Sequence, residues 1–280
     1  ARKNLFYCHG CGRGGDLIRF VELSQGLSFR QTIAYLQQQL APPVPQDVLA
    51  ETAAFYRLQF HRRPEALEYL AQRGLRDGSL IEELGIGYAP GGNLRRHLMA
   101  HGFGVAQLHD AGLINLQRRD AFCRRVIFPC RQFGHIVNFY GRSIGAAFPH
   151  RFLPRSKGGL FARETVRQSA SIVLVEGLFD LAILWQAGFR NTTCALGAHL
   201  TSAHLEQLTQ PPSGPVYIVF DQDENQAGQQ ASRQLAQQLE SVGLVALIVR
   251  LPENHDPNSH FLAGATAADF QACLSAAQPL

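Results

Sequence analysis

Apolar positions recur at helical spacing early in the chain. Leu17, Ile18, Phe20 and Val21, then Ile33, Leu36 and Leu40, mark two short helices broken at Gly26, because residues three and four apart share one helix face. The prolines of APPVPQ at 41–46 cannot continue a helix and favour extended backbone, so this stretch predicts a stiff linker. Residues 48–115 keep a mainly helical pattern, with ALEYLAQRGL at 66–75 and the turn-rich APGGN at 89–93. From Arg125 the texture shortens to RVIFPC and HIVNFYGRSI, β-rich runs separated by Gly134.

After residue 171 the pattern changes again. SIVLVEG, TTCALG, VYIVFD and VALIVRLP are short apolar strands, with helical stretches beginning near Leu178, Thr201 and Ala227. Strands without polar alternation are covered on both faces, and strand–helix alternation implies a mostly parallel sheet. The expected order is therefore residues 1–40, a linker at 41–47, an α+β section at 48–165 and an α/β section at 166–280.

The 280 residues, 46% hydrophobic and 17% charged, fit about two globular domains. No apolar run approaches the roughly 20 residues of a membrane-spanning helix, and ARKNLFYCHG lacks the apolar core of a signal peptide, so a cytoplasmic location is expected. Ala1 rather than Met stands first, shortly before a cysteine pair, so the natural start is expected upstream. Of six cysteines only Cys8 and Cys11 have metal-ligand spacing.

A net charge of +4 says little, but its distribution says more. Residues 118–163 carry Arg118, Arg119, Arg124, Arg125, Arg131, Arg142, Arg151, Arg155, Lys157 and Arg163 against only Asp120. Such a segment either contacts an anionic partner or is a solvated basic face.

Carboxylates mark the strand ends. Glu176 closes SIVLVEG, Asp221 closes VYIVFD with Asp223 two residues on, and Asp256 follows the last strand. A parallel sheet collects such residues at its carboxyl edge, where ligands bind. Clustered carboxylates repel unless a cation neutralises them, and an oxygen-only set selects Mg2+ or Mn2+. Asp180, one turn past Glu176, either adds a ligand or serves the helix dipole. Gly177 and Gly197 permit close backbone approach to a ligand. Phe139 and Tyr140 either stack on unpaired bases or pack in the core.

VEGLFD (175–180), ALG (195–197), FDQDENQAG (220–228) and HDP (255–257) resemble the Toprim fold of DnaG-type primases, a domain shared with topoisomerases. Upstream, ALEYLAQRGL, ELGIGYAP, AGLI, RRVIFP, FYGRSIG and RFLPRSKGGLF resemble the primase RNA-polymerase core, and YCHGCGRGGDLIRFV resembles the second half of the primase zinc ribbon. The resemblance implies a Toprim-type parallel sheet flanked by helices, preceded by a mixed α+β subdomain and a partial zinc ribbon.

It further implies DNA-templated synthesis of short RNA primers from ribonucleoside triphosphates on single-stranded DNA. Glu176 would be the general base, with Asp221 and Asp223 catalytic, and Glu176, Asp180, Asp221, Asp223 and Asp256 would hold Mg2+ or Mn2+. Arg73, Arg125, Arg131, Arg142, Arg151 and Lys157 would meet nucleotide, template or RNA–DNA hybrid. Cys8 and Cys11 supply two of the four ligands of structural zinc, so Zn2+ is expected only with ligands upstream, and His9 reads as a turn residue. The family usually continues past the Toprim sheet into a helicase-binding domain, and with the sequence running to Leu280 the contact with a replicative helicase is expected only if that part has been removed. The chain departs from the family at Asn258, where the last acidic motif usually has a second Asp. Two other readings stay open: a catalytically weak single-stranded-DNA-binding accessory with the Toprim shape, and a Toprim nuclease.

Overall fold

The computed structural model describes residues 5–8, 10–40, 46–145, 148–197, 200–209, 214–220 and 227–280. Strands β1 (Phe6–Tyr7) and β2 (Gly14–Gly15) pair antiparallel around the cysteine turn, and helices α1 (Leu17–Gln25) and α2 (Phe29–Leu40) follow. Asp16 starts α1 by accepting the N–H of Arg19, and Gly26 ends it in the left-handed region that glycine adopts without strain.

The middle section contains α3 (Gln46–His61), α4 (Pro64–Gln72), α5 (Gly78–Leu84), β3 (Gly87–Ala89), α6 (Leu94–Ala100) and α7 (Val105–Asp110), then β4 (Arg125–Gln132), β5 (His135–Ser143) and β6 (Arg151–Phe152). These strands form an antiparallel sheet in the order β3-β4-β5-β6. Directly opposed residues share a face, and successive residues alternate. Val126, Phe128, Tyr140, Arg142 and Phe152 therefore lie on one face, and Arg125, Ile127, Phe139, Gly141 and Arg151 on the other. The second face packs on Leu49, Phe55, Leu94, Leu98 and Leu108 from the helices.

The last section runs α8 (Arg163–Val166), β7 (Ile172–Val175), α9 (Leu178–Gln186), β8 (Thr192–Cys194), α10 (Ser202–Thr209), β9 (Val216–Val219), α11 (Ala227–Glu240), β10 (Ala246–Ile248), α12 (Pro257–Leu262) and α13 (Ala267–Ser275). Its sheet, ordered β10-β9-β7-β8, is parallel throughout, as the uninterrupted apolar strands predict. Every residue of α9 from Leu178 to Trp185 is buried, because this helix is covered both by its own sheet and by the antiparallel section. One core joins Phe60, Leu70, Tyr88 and Phe128 to Val173, Leu184 and Val219. The antiparallel and parallel sections thus share a continuous core. No helix among the described residues is long and apolar enough to cross a membrane.

Candidate active site at the carboxyl edge of the parallel sheet

Strand β7 ends with Val175 level with Val219 of β9 and Cys194 of β8, so Glu176 leaves the sheet beside Phe220. Asp221 and Asp223 follow Phe220 in sequence and lie outside the described residues. Glu176 is half-buried, and its backbone carbonyl accepts a bond from the Cys194 thiol at 3.0 Å, which fixes the main chain where the side chain departs. At Gly177 a Cβ would come 2.7 Å from Asp180 Oδ2. Glycine here leaves room for the Asp180 carboxylate to fold back toward the strand end.

Asp180 is buried, and its Oδ1 accepts the backbone N–H of Asn258 at 3.2 Å. Asp256 caps α12: its carboxylate accepts the N–H of Ser259, whose hydroxyl accepts the N–H of Asp256 at 2.9 Å. The structure thus joins the Glu176–Asp180 turn to the Asp256–Asn258 turn. Asn258 is only 2% exposed and donates its amide to the backbone carbonyl of Arg73 at 2.7 Å. A carboxylate in that place would set acceptor against acceptor.

Three of the basic residues singled out from the sequence converge here. The Arg73 guanidinium lies over the Phe179 ring, 4.8 Å from its centre, and its buried Nε has no hydrogen-bond partner among the described residues. Burial opposes the charge of Arg142, but the neighbouring hydroxyls of Tyr69 and Tyr140 outweigh burial and raise its pKa. Tyr69 meets Phe179 edge-on at 6.0 Å, so Arg73 and Arg142 flank one aromatic cluster. Lys157 donates to the carbonyl of Leu196 at 3.0 Å and sits 4.3 Å over the Phe152 ring. Leu196 follows β8 with φ 60°, a conformation uncommon outside glycine.

The remaining three stand apart. Arg125 crosses the opposite sheet face, donating to the carbonyls of Gly141 at 2.8 Å and Pro149 at 2.9 Å. Burial, followed by the nearby Arg151, lowers its pKa. Arg151 shares that face and is exposed. Arg131 is exposed at a bulge between Cys130 and Arg131, near Arg57.

Base stacking by Phe139 or Tyr140 is not supported, because both rings are buried on opposite faces of β5. Phe139 meets Tyr56 at 5.7 Å and Tyr140 meets Phe128 at 6.1 Å. Two site neighbours escaped sequence reasoning, Tyr69 and His150. His150 stacks on Tyr140 at 5.3 Å, and partial burial, then Lys157, Arg142 and Arg125, hold its imidazole below the usual range. Nothing local in the sequence separates these two from ordinary surface residues; the crossing of α4 and the β5–β6 connection creates their roles.

At the other end of the chain, Cys8 and Cys11 are exposed on one tight turn, in which Gly12 donates to the Cys8 carbonyl at 2.9 Å. Hydrogen bonds from the Cys11 backbone and thiol, then from the Gly10 backbone, lower the Cys8 pKa and so favour the thiolate that binds metal. Two sulfur donors fit half of a tetrahedral zinc site. His9 lies outside the described residues.

Three family descriptions match consecutive stretches: a CHC2 zinc finger over residues 1–51, the N-terminal domain of the DNA primase catalytic core over 55–166, and a Toprim-like domain over 173–261. The DNA primase of Pseudomonas putida is 32% identical over 322 aligned positions, covering 99% of this chain and 48% of the relative. The chain therefore spans about half the length of that relative. Among solved structures, the zinc-binding and RNA polymerase domains of the Aquifex aeolicus primase superpose with a TM-score of 0.76 at 28% identity, covering 99% of this chain and 74% of that one. A DNA primase domain from Pseudomonas aeruginosa gives 0.71 at 32% identity, over 85% of this chain and 80% of that one.

Proposed function

Because the chain belongs to the DnaG-type family of DNA primases, we propose that it carries the nucleotide-joining centre of such an enzyme, making short RNA on single-stranded DNA. The observation that carries this reading is the carboxyl edge of the parallel sheet, where Glu176 and Asp180 stand among Arg73, Arg142 and Lys157.

The donors at this edge are all oxygen, which fits Mg2+ or Mn2+ better than zinc. Glu176, Asp180, Asp221, Asp223 and Asp256 are the residues we assign to hold it. Divalent ions bound there would neutralise charge on the attacking and leaving oxygens. The reaction joins the 3′-oxygen of one nucleotide to the α-phosphorus of the next and breaks the bond to pyrophosphate. Glu176, half-buried at the mouth of the site, takes the proton of the attacking hydroxyl, directly or through one water. Arg73 and Arg142 present planar guanidinium groups suited to phosphate oxygens, and Lys157 adds a point charge beside the β8 end. Their neighbours hold two of these cations before any nucleotide arrives, Phe179 under Arg73 and the Leu196 carbonyl on Lys157, while the nearby tyrosine hydroxyls favour the charged form of Arg142. Cys8 and Cys11 would supply two of four ligands to a structural zinc.

Asn258 does not favour the accessory reading, since its amide is committed to the Arg73 carbonyl. Its lost charge has a packing explanation. The test is extension of labelled ribonucleotides on single-stranded DNA with magnesium, comparing the native chain with Glu176→Gln and Asp221→Ala. Short RNA is expected from the native chain, with loss of about 10²-fold or more on removing the base. DNA binding without RNA would support the accessory instead, and shortened DNA the nuclease.

A further inference from the structure

We propose that Glu51, His97 and His101 form a second metal site, selective for a zinc-type transition dication and separate from the carboxylate edge. One ligand atom from each lies within 4.8 Å of the other two. Glu51 Oε1 is 2.7 Å from His97 Nε2 and 3.7 Å from His101 Nε2. Metal–ligand bonds of about 2.0–2.1 Å in a tetrahedron put ligand atoms roughly 3.4 Å apart, so the two spacings bracket what zinc requires. Small side-chain rotations close the difference.

The local sequence builds this arrangement. His97 and His101 are four residues apart at the end of α6, and that spacing places both rings on one face, 4.1 Å centre to centre. Glu51 reaches them from α3, which packs against α6. The ring of Phe55 lies 4.6 Å from that of His97 and restricts its rotation. His101 Nδ1 is 2.8 Å from the carbonyl of His97. A backbone carbonyl can only accept, so this bond puts the proton on Nδ1 and leaves the Nε2 lone pair facing Glu51. An outer hydrogen bond that fixes the tautomer is a usual property of metal-binding histidines.

The donor set excludes the ions of the carboxylate edge, because two imidazoles and one carboxylate suit zinc, copper or nickel and not magnesium. Location separates the sites too. Helices α3 and α6 pack on the face of the antiparallel sheet that carries Ile127 and Phe139, whereas Arg142 and the parallel sheet lie on the other. His101 is 49% exposed, which gives an ion access, while Glu51 at 30% and His97 at 22% form the walls. Three protein ligands leave a fourth position for water. The bound ion would tie α6 to α3.

The experiment is a calorimetric zinc titration of the Cys8→Ser/Cys11→Ser chain in excess magnesium, which removes the cysteine pair with metal-ligand spacing and fills the oxygen-only site. One zinc per chain is expected, with a rise in melting temperature. Losing even an outer partner of a metal ligand costs roughly 10–100-fold in affinity, so His101→Gln and Glu51→Gln should each weaken binding at least about tenfold and abolish the thermal shift. His101 is exposed, so its replacement leaves the helix packing intact, as circular dichroism checks. Failure of the Cys8→Ser/Cys11→Ser chain to bind zinc overturns the proposal, and so does undiminished binding by the two variants.

Discussion

At the scale of single residues, Asn258 shows how a change of one atom redistributes roles. Its amide N–H bonds the Arg73 carbonyl at 2.7 Å, and its backbone N–H bonds Asp180. Removing the amide strands a buried carbonyl, so Asn258→Ala should cost about 1–3 kcal/mol in urea unfolding. Asn258→Asp should cost as much in a chelator and recover part of the loss with magnesium, since only a cation relieves the repulsion. Equal stability with and without magnesium would remove the metal from that account. The sequence shows only an Asn where the family resemblance leads one to expect Asp; the partner carbonyl is 185 residues away, and no local pattern points to it. His204 offers a pH test. Burial, with Lys157 acting in the same direction, holds its imidazole below the usual range, so the native state binds its proton at lower pH than the unfolded chain. Stability should then be level above the ordinary histidine pKa of about 6.5 and fall as pH drops below it. Urea midpoints across that range measure the slope, and His204→Asn should flatten it.

At the scale of elements, caps and turns were the most legible features, because their rules are local. Gly26 ends α1, and the apolar runs after residue 171 became parallel strands. The capping role of Asp256 was not legible. Sequence reading assigns it to a metal, while the structure uses its carboxylate to cap α12. Two substitutions separate the roles. Serine caps helices about as well as aspartate, whereas alanine costs about 0.5–2 kcal/mol. Asp256→Ser should therefore keep native stability while Asp256→Ala loses it, and both should raise the magnesium needed for RNA synthesis if the carboxylate also holds metal. Unchanged magnesium dependence in Asp256→Ser would leave only the cap. Gly141 is a second such position: a Cβ there would lie 2.6 Å from Phe122 and 3.1 Å from Arg125. Gly141→Ala should lower the melting temperature by a few degrees, as overpacking of about 1–3 kcal/mol does.

At the scale of the molecule, the sequence presents one basic segment, and the fold divides it. Strand alternation sends Arg142 toward the carboxylates and Arg125 and Arg151 to the opposite face, a separation that a list of charges cannot contain. Arg73 joins the first group from a helix far upstream, through its stack on Phe179. This division sets the expected footprint of a single-stranded template. Each phosphate neutralised by a cation releases counterions, and for single strands the slope of log affinity against log salt changes by about 0.7 per contact. Arg142→Gln and Lys157→Gln should each make that slope shallower by about this amount. Arg151→Gln should leave it unchanged, although it removes the same charge from the chain. Arg125→Gln should also leave the slope unchanged and lower stability instead, because its guanidinium holds the Gly141 and Pro149 carbonyls. Fluorescence anisotropy over a salt series reads all four. If Arg151→Gln flattened the slope as much as Arg142→Gln, the template would have to run over the far face of the antiparallel sheet, and the carboxyl edge could not be the place where it meets the nucleotide.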